Sequence, residues 1–179
     1  PFLLSSFVFK EQDLKKKYNA KWAVVTGASS GIGYAIVEKL AEQKINVVLV
    51  ALDDGVLATA MESLSLKYKS IQFKSCGVNL GAPGYMDKIK ETVKDIDVSL
   101  LFNNAGFITM GIFASTNVNR LKANFECNAA CQVEITHFFI NQMIEKKLKG
   151  AIGFTSSPAN RMPNPTSALY GSTKAFVTS

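Results

Sequence analysis

The sequence predicts a doubly wound α/β domain, a parallel sheet covered on both faces by helices, and three observations predict it. Apolar runs of strand length alternate with amphipathic segments of helix length. The runs lack the polar alternation of a half-exposed sheet, as strands buried on both faces do. The first of them passes directly into a glycine-rich turn that opens a helix.

Trp22-Ala-Val-Val-Thr26 is the first strand, and Gly31 to Leu40 a helix with Ile32, Ala35, Ile36 and Leu40 on one face. Asn46–Ala51 is the second strand, followed by a helix from about Asp54 to Tyr68. Ile71–Cys76 makes a third strand, and Pro83–Lys94 a helix with proline near its first turn. Val98–Phe102 is the fourth strand. Asn117 to Lys149 reads as helical throughout with a break near Asn124, Gly150–Thr155 as the fifth strand, and a last helix begins near Ser167. Right-handed crossovers put such strands in the Rossmann order 3-2-1-4-5-6, of which five are present. The expected organisation is an N-terminal extension over residues 1–20 and one Rossmann-type, three-layer αβα domain over 21–179, truncated at its C-terminus.

Composition narrows the function classes. The 179 residues carry 20 Lys+Arg against 14 Asp+Glu, a net charge of +6, with 47% hydrophobic and 19% charged residues. A disordered chain is excluded, and the 12 Gly and 5 Pro show no collagen-like period. No apolar run has the length of a membrane span. The densest basic runs, Lys15-Lys16-Lys17 and Lys146-Lys147 with Lys149, lack the interleaved aromatics of single-strand binders, so no nucleic-acid partner is expected. The second run falls near a helix end, where cations complement the dipole. The first reads as a solvated face, with an anionic membrane surface as the alternative.

The chain opens at Pro1, and the apolar stretch Phe2–Phe9 is too short to span a bilayer. It is either the tail of an upstream anchor or signal, or a segment packed on the domain. Cys76, Cys127 and Cys131 form no C-x-x-C and leave one thiol over in any disulfide scheme. Small apolar packing roles and a reducing compartment, or the cytosolic face of a membrane, fit them. His137, the only histidine, stands among Phe138, Phe139 and Ile140 and is expected to be packed; with no acidic cluster beside it, no metal site is expected.

Two constellations carry chemistry. Thr26-Gly-Ala-Ser-Ser-Gly-Ile-Gly33 follows the first strand and opens the first helix, where a tight turn, close backbone approach and free helix N–H groups suit a pyrophosphate. An acidic residue about 20 positions on commonly holds the adenosine ribose. Asp53 and Asp54 lie there, Asp54 expected as a helix cap and Asp53 left open between that and the ribose. The second is Tyr170-Gly-Ser-Thr-Lys174, whose ends share a helix face. A free tyrosine, with pKa about 10, is a poor acid–base group near neutrality, and an adjacent ammonium favours its phenolate. The pair follows a fifth strand ending in Thr155-Ser-Ser157, at the carboxyl edge where open α/β sheets bind ligands.

Thr26–Gly33, Asn103-Asn-Ala-Gly106, Asn128, Ser157 and Tyr170-x-x-x-Lys174 together resemble the short-chain dehydrogenase/reductase family, in order and in spacing, from about Trp22 to the end. The resemblance implies an NAD(P)-dependent oxidoreductase moving hydride between nicotinamide and a carbonyl or secondary alcohol. Tyr170 would be the acid or base, Lys174 would lower its pKa and hold the nicotinamide ribose, and Ser157 would stabilise charge on the substrate oxygen. Asn128 would anchor a water linking Lys174 to solvent. Gly27, Ser29, Ser30, Gly31, Ile32 and Gly33 would surround the pyrophosphate, with Leu52, Asp53, Val78, Asn104, Ala105 and Gly106 along the adenosine side. Within the family, Asp13–Thr26 and Ile45–Val50 resemble the branch acting on 3-oxoacyl-CoA or 17-keto steroids, often held at the endoplasmic reticulum, which implies a cytoplasmic or cytosolic-face location. A homodimer or tetramer through the helices around Asn117–Lys149 and from Ser167 is likewise implied.

Several positions depart from the family pattern. Leu52 stands where NADP enzymes carry Arg, Ala51 where NAD enzymes carry Asp, and Ser30 where many NADP enzymes carry a basic residue. Gly77 replaces an Asp that contacts adenine. The branch resemblance leans to NADP, with NAD as the alternative. The family's sixth strand, the Pro-Gly loop over the nicotinamide and the substrate lid would fall after Ser179. The rival function is a non-catalytic dinucleotide-binding or scaffold protein on the same fold.

Overall fold

The computed structural model describes residues 11–179; Phe2–Phe9 lies outside the described residues. The elements run α1 (Leu14–Tyr18), β1 (Trp22–Thr26), α2 (Gly31–Glu42), β2 (Asn46–Ala51), α3 (Gly55–Lys67), β3 (Phe73–Gly77), α4 (Tyr85–Val93) and β4 (Val98–Asn103). There follow α5 (Val118–Phe125), a π-helical turn (Glu126–Ala130), α6 (Cys131–Glu145), β5 (Ala151–Phe154) and α7 (Ala168–Thr178). The strands pair in the order β3-β2-β1-β4-β5, every pair parallel. This is the strand order expected, with the carboxyl ends of β1 and β4 on either side of the reversal of order.

The side-chain period of a strand explains why the runs are apolar throughout. Val24, Val48, Val50 and Leu101 pack under α4 and α6 through Ile89, Val93, Ile135 and Phe139. The alternate residues Ala23, Val25, Val47 and Leu49 pack under α2 and α3 through Val37, Leu40, Leu57 and Leu64. Leu14 and Tyr18 of α1 rest against this second core, so the segment before β1 is docked on the domain.

The structure moves several expected boundaries. β3 begins at Phe73 rather than Ile71, because Tyr68 to Ser70 are spent on turning out of α3. Pro83 lies before α4, whose cap is Gly84 at φ 94°. The break expected near Asn124 is absent: Asn124 is buried inside α5, and the irregularity is the π turn that follows, bridging α5 to α6 without interrupting the helix. α6 ends at Glu145, with Lys146 at its C-cap bonded to Asp97 and Lys147 at φ 52° turning the chain out. His137 is exposed, not packed among its aromatic neighbours, and its backbone carbonyl accepts from Asn141 Nδ2 at 2.9 Å; Ile135 and Phe139 of the same helix hold the core.

Candidate active site

The turn after β1 is shaped by close approach. A Cβ on Gly33 would lie 2.1 Å from the Gly27 carbonyl oxygen, and one on Gly27 would lie 2.9 Å from the Ala105 Cα. Thr26 Oγ1 accepts from the backbone N–H groups of Asn104 and Ala105, both at 2.9 Å. The Asn104 side chain donates to the Thr26 carbonyl at 3.1 Å and accepts from Thr155 Oγ1 at 3.0 Å, tying the glycine turn to β5. Gly31, at φ 55°, has nothing within 4 Å of where its Cβ would be. Ser30 at the N-cap of α2 makes no side-chain cap and the first turn carries no acidic residue, so the leading N–H groups of this helix are left for an anion. A pyrophosphate fits that cradle.

A cleft of about 850 Å³ runs along the carboxyl edge from this turn to α7, a volume in the range of cofactor sites. Ser29, Ser30, Ile32 and Gly27 line its floor near the turn. At the end by β2 and β3 stand Leu52, Asp54, Val56 and Val78; at the other end stand Gly106, Ser157, Tyr170 and Lys174, with Asn104 and Ala105 between. Gly31, Gly33, Asp53 and Asn128 are not in its wall. Asp53 turns aside to an ion pair with Lys88 at 3.3 Å, in space that a Cβ on Gly77 would fill at 2.5 Å from the Asp53 Cγ. Asp54 caps α3, its Oδ1 accepting from Val56 and Leu57 N–H at 3.0 and 3.1 Å.

Gly106 lies at the Lys174 end of the cleft: a Cβ there would lie 3.1 Å from Asn128 Oδ1 and 3.5 Å from Lys174 Nζ. Lys174 is 3% exposed and its ammonium donates to the Thr155 carbonyl at 2.8 Å. Burial holds its pKa below the ordinary lysine value. Its Nζ stands 5.7 Å from the centroid of the Tyr170 ring. Asn128, fully buried in the π turn, clamps Phe107 with both ends of its amide, accepting from the N–H and donating to the carbonyl at 2.9 Å each. Its own carbonyl accepts from Gln132 Nε2 at 2.9 Å. Ser157 lines the cleft and also caps the 3₁₀ turn Pro158–Asn160, its Oγ accepting from Ala159 N–H at 3.3 Å.

Phe107, Gln132 and Thr173 were missed in the sequence, and Thr26 and Thr155 were read only as parts of their motifs, without a role of their own. Thr173, which bonds Asn128 and the Tyr170 carbonyl, and Gln132 carry a signal, a polar residue on the buried face of a helix. Phe107 acts through its backbone and carries none. Cys127 also lines the cleft, but burial pushes its thiol up to about 11, which leaves it unreactive near neutrality. No group of three or more candidate metal ligands occurs among the described residues.

The model of short chain dehydrogenases matches residues 21–179. The chain belongs to this family. At 34% identity over 93% of its length it is similar to hydroxysteroid dehydrogenase-like protein 1 of Gallus gallus, and at 32% over 98% to a very-long-chain 3-oxoacyl-CoA reductase of Aspergillus terreus. A human relative at 32% identity over 92% of the chain is named inactive hydroxysteroid dehydrogenase-like protein 1. The chain spans about half the length of these relatives, 50%, 51% and 50%. Among solved structures, a short-chain dehydrogenase of Sphingobium yanoikuyae with NADPH superposes at TM-score 0.79 and 25% identity over 87% of this chain and 61% of that one. One of Burkholderia phymatum with NAD superposes at TM-score 0.75 and 29% identity over 89% and 57%. Dehydrogenases of this family thus hold a nicotinamide dinucleotide of either kind on this fold.

Proposed function

We propose that this chain carries the dinucleotide-binding and proton-transfer machinery of an oxidoreductase that interconverts a carbonyl and a secondary alcohol. One observation carries the reading: a buried ammonium with a single protein acceptor, Lys174, lies beside Tyr170 in the same cleft as an uncapped helix N-terminus. Gly27, Ser29, Ser30, Gly31, Ile32 and Gly33 hold the pyrophosphate through the turn, Leu52 and Val78 bound the adenosine, and Asn104 and Ala105 support it from the turn after β4. A nicotinamide held in the cleft would supply hydride to the carbonyl carbon, or take it in the reverse reaction. Tyr170 gives its hydroxyl proton to the carbonyl oxygen, which becomes the alcohol; in oxidation it takes that proton back. Lys174 holds the nicotinamide ribose with its two remaining N–H donors and favours the phenolate. Ser157 donates to the substrate oxygen as charge develops there. Asn128, buried in the π turn, anchors the water that returns the proton.

A 3-oxoacyl thioester or a ketosteroid is the substrate class the relatives' names support. Ile108, an exposed apolar side chain in the wall of the cleft, supports it as well, since such a side chain seeks an apolar partner. Exposed Val118, Phe125, Val133, Ile140 and Ile144 on α5 and α6 support assembly with a second copy. A cytosolic setting, free or at the face of the endoplasmic reticulum, suits three unpaired cysteines; no helix among the described residues is long and apolar enough to cross a membrane. The test is reduction of a long-chain 3-oxoacyl-CoA with NADH and NADPH, followed at the nicotinamide absorbance. Turnover lost in Tyr170→Phe supports the reading; equal turnover in that variant overturns the assignment of the acid. Dinucleotide binding without turnover on carbonyls or alcohols supports the scaffold alternative.

A further inference from the structure

A π turn is one extra residue taken into a helix as a single wide turn, and it recurs at functional sites. Here the Glu126 carbonyl accepts from the Cys131 N–H, five residues on. Backbone bonds are alike at every turn, so they do not choose which turn takes the extra residue; side chains must. Asn124 and Asn128 both donate to the Phe107 carbonyl, at 2.6 and 2.9 Å, but of the two only Asn128 also accepts from the Phe107 N–H. Its Oδ1 and Lys174 Nζ lie within 3.5 Å of one point, the place a Gly106 Cβ would take. The register of the turn therefore decides whether Asn128 stands beside Lys174.

Glu126 is held from α4. Tyr85, the first residue of that helix, is 4% exposed and donates its hydroxyl to Glu126 Oε1 at 2.9 Å, across 41 positions of sequence. Its ring packs in the same core as Leu80, Cys131 and Ile135, a fixed base for the hydroxyl. Burial first, and then the Glu126 and Glu134 carboxylates, push the phenol above its ordinary pKa, so it stays a donor. The loop before α4 rests on α5: a Cβ on Gly81 would lie 3.1 Å from the Ala123 carbonyl oxygen. Tyr85 is not in the wall of the cleft, so its part in the reaction runs through Glu126.

Resting on the proton-transfer reading above, we propose that the Tyr85–Glu126 bond is a strut that sets the register of the π turn and so positions Asn128. Tyr85 and Glu126 are then positioning residues. Without the hydroxyl the turn is free to shift along the helix, drawing Asn128 off Phe107 and away from Lys174. Gln132 bonds the Asn128 carbonyl at 2.9 Å, but it belongs to the helix that would shift and offers no fixed point.

The experiment reads the NMR resonances of the Phe107 amide and the Asn128 side-chain amide in the unliganded chain, which report the clamp in the native state whatever the global stability. Tyr85→Phe keeps the ring in the core and removes only the donor; both resonances are expected to shift, the Phe107 proton upfield as its bond is lost. Glu126→Ala, which leaves the Tyr85 ring untouched, should give the same shifts, and Glu126→Gln, which keeps an acceptor oxygen, should restore the unaltered spectrum. In turnover of a long-chain 3-oxoacyl-CoA, Tyr85→Phe should lower kcat by about 10–100-fold while the KM for the dinucleotide holds. Unmoved resonances in Tyr85→Phe, even with a lowered melting temperature, overturn the strut, as does a Glu126→Gln spectrum that matches Glu126→Ala. Shifted resonances with kcat unchanged overturn its part in the reaction. A chain that turns over no carbonyl brings down the proton-transfer reading instead, and the resonances alone then decide the strut.

Discussion

The two ends of the cleft are built in opposite ways. At the glycine turn the parts that matter are backbone: carbonyls and N–H groups brought so close that side chains are excluded, with 2.1 Å between a would-be Gly33 Cβ and the Gly27 oxygen. At the Tyr170 end the parts that matter are buried side chains, Asn128, Thr173 and Lys174, each held by named hydrogen bonds. The first end therefore fails by volume and the second by chemistry. Asn104 is the joint, bonded to Thr26 on one side and Thr155 on the other.

The largest effect should come from adding one methyl group at the first end. Gly33→Ala puts carbon against a backbone carbonyl that has no freedom to retreat, and should cost about 3 kcal/mol or more with loss of dinucleotide binding. Gly31→Ala, a position away from any neighbour but at φ 55°, should cost only about 1–2 kcal/mol, the left-handed penalty. Urea unfolding of the two variants checks the pair; similar losses in both would show that crowding does not govern this turn.

At the second end the same change in volume should do little to the fold and much to the reaction. Tyr170→Phe removes one oxygen from a half-buried ring, so melting should be unchanged and turnover should fall by about 10²–10⁴, the usual contribution of a positioned acid. Between the two ends, Asn104→Ala should weaken both at once. It removes the bonds to Thr26 and Thr155, costing about 1–3 kcal/mol for the polar groups left behind, and loosens dinucleotide binding and turnover together. If either property holds while the other falls, the two ends are not coupled through this residue.

This contrast also explains what could be read in advance. β1, β2 and β4 were legible because burial on both faces makes a strand uniformly apolar, and the parallel order follows from helices between them. The glycine turn and the Tyr170–Lys174 pair were legible because their spacings are local. The π turn was not, since nothing in Glu126–Ala130 marks an extra residue in a helix, and the partner of its Asn128 side chain is Phe107, 21 positions away in sequence. Asp53 and Asp54 were legible as a pair but not in their division, which depends on Gly77 opening room on the neighbouring strand. His137 misled because its aromatic neighbours are adjacent in sequence, and adjacent residues of a helix face different ways.

The smallest effect is also the most direct reading of how the second end is maintained. Lys174 is buried with one protein acceptor, and burial lowers its pKa. In the unfolded chain the same lysine titrates near 10.4. Between the lowered folded value and that one, the unfolded state binds more protons, so stability rises with pH across this window. Below the window the fold carries the full cost of a desolvated ammonium; above it the cost is gone. Lys174→Met should remove this part of the pH dependence, giving a variant whose stability is flatter than that of the unaltered chain from neutrality to about pH 10.5. Urea midpoints measured across that range decide it, and parallel curves for the two proteins would mean that the ammonium is better solvated than its 3% exposure allows. A flatter curve with turnover abolished would place this lysine among the groups whose cost to the fold is borne for the sake of the proton transfer they serve.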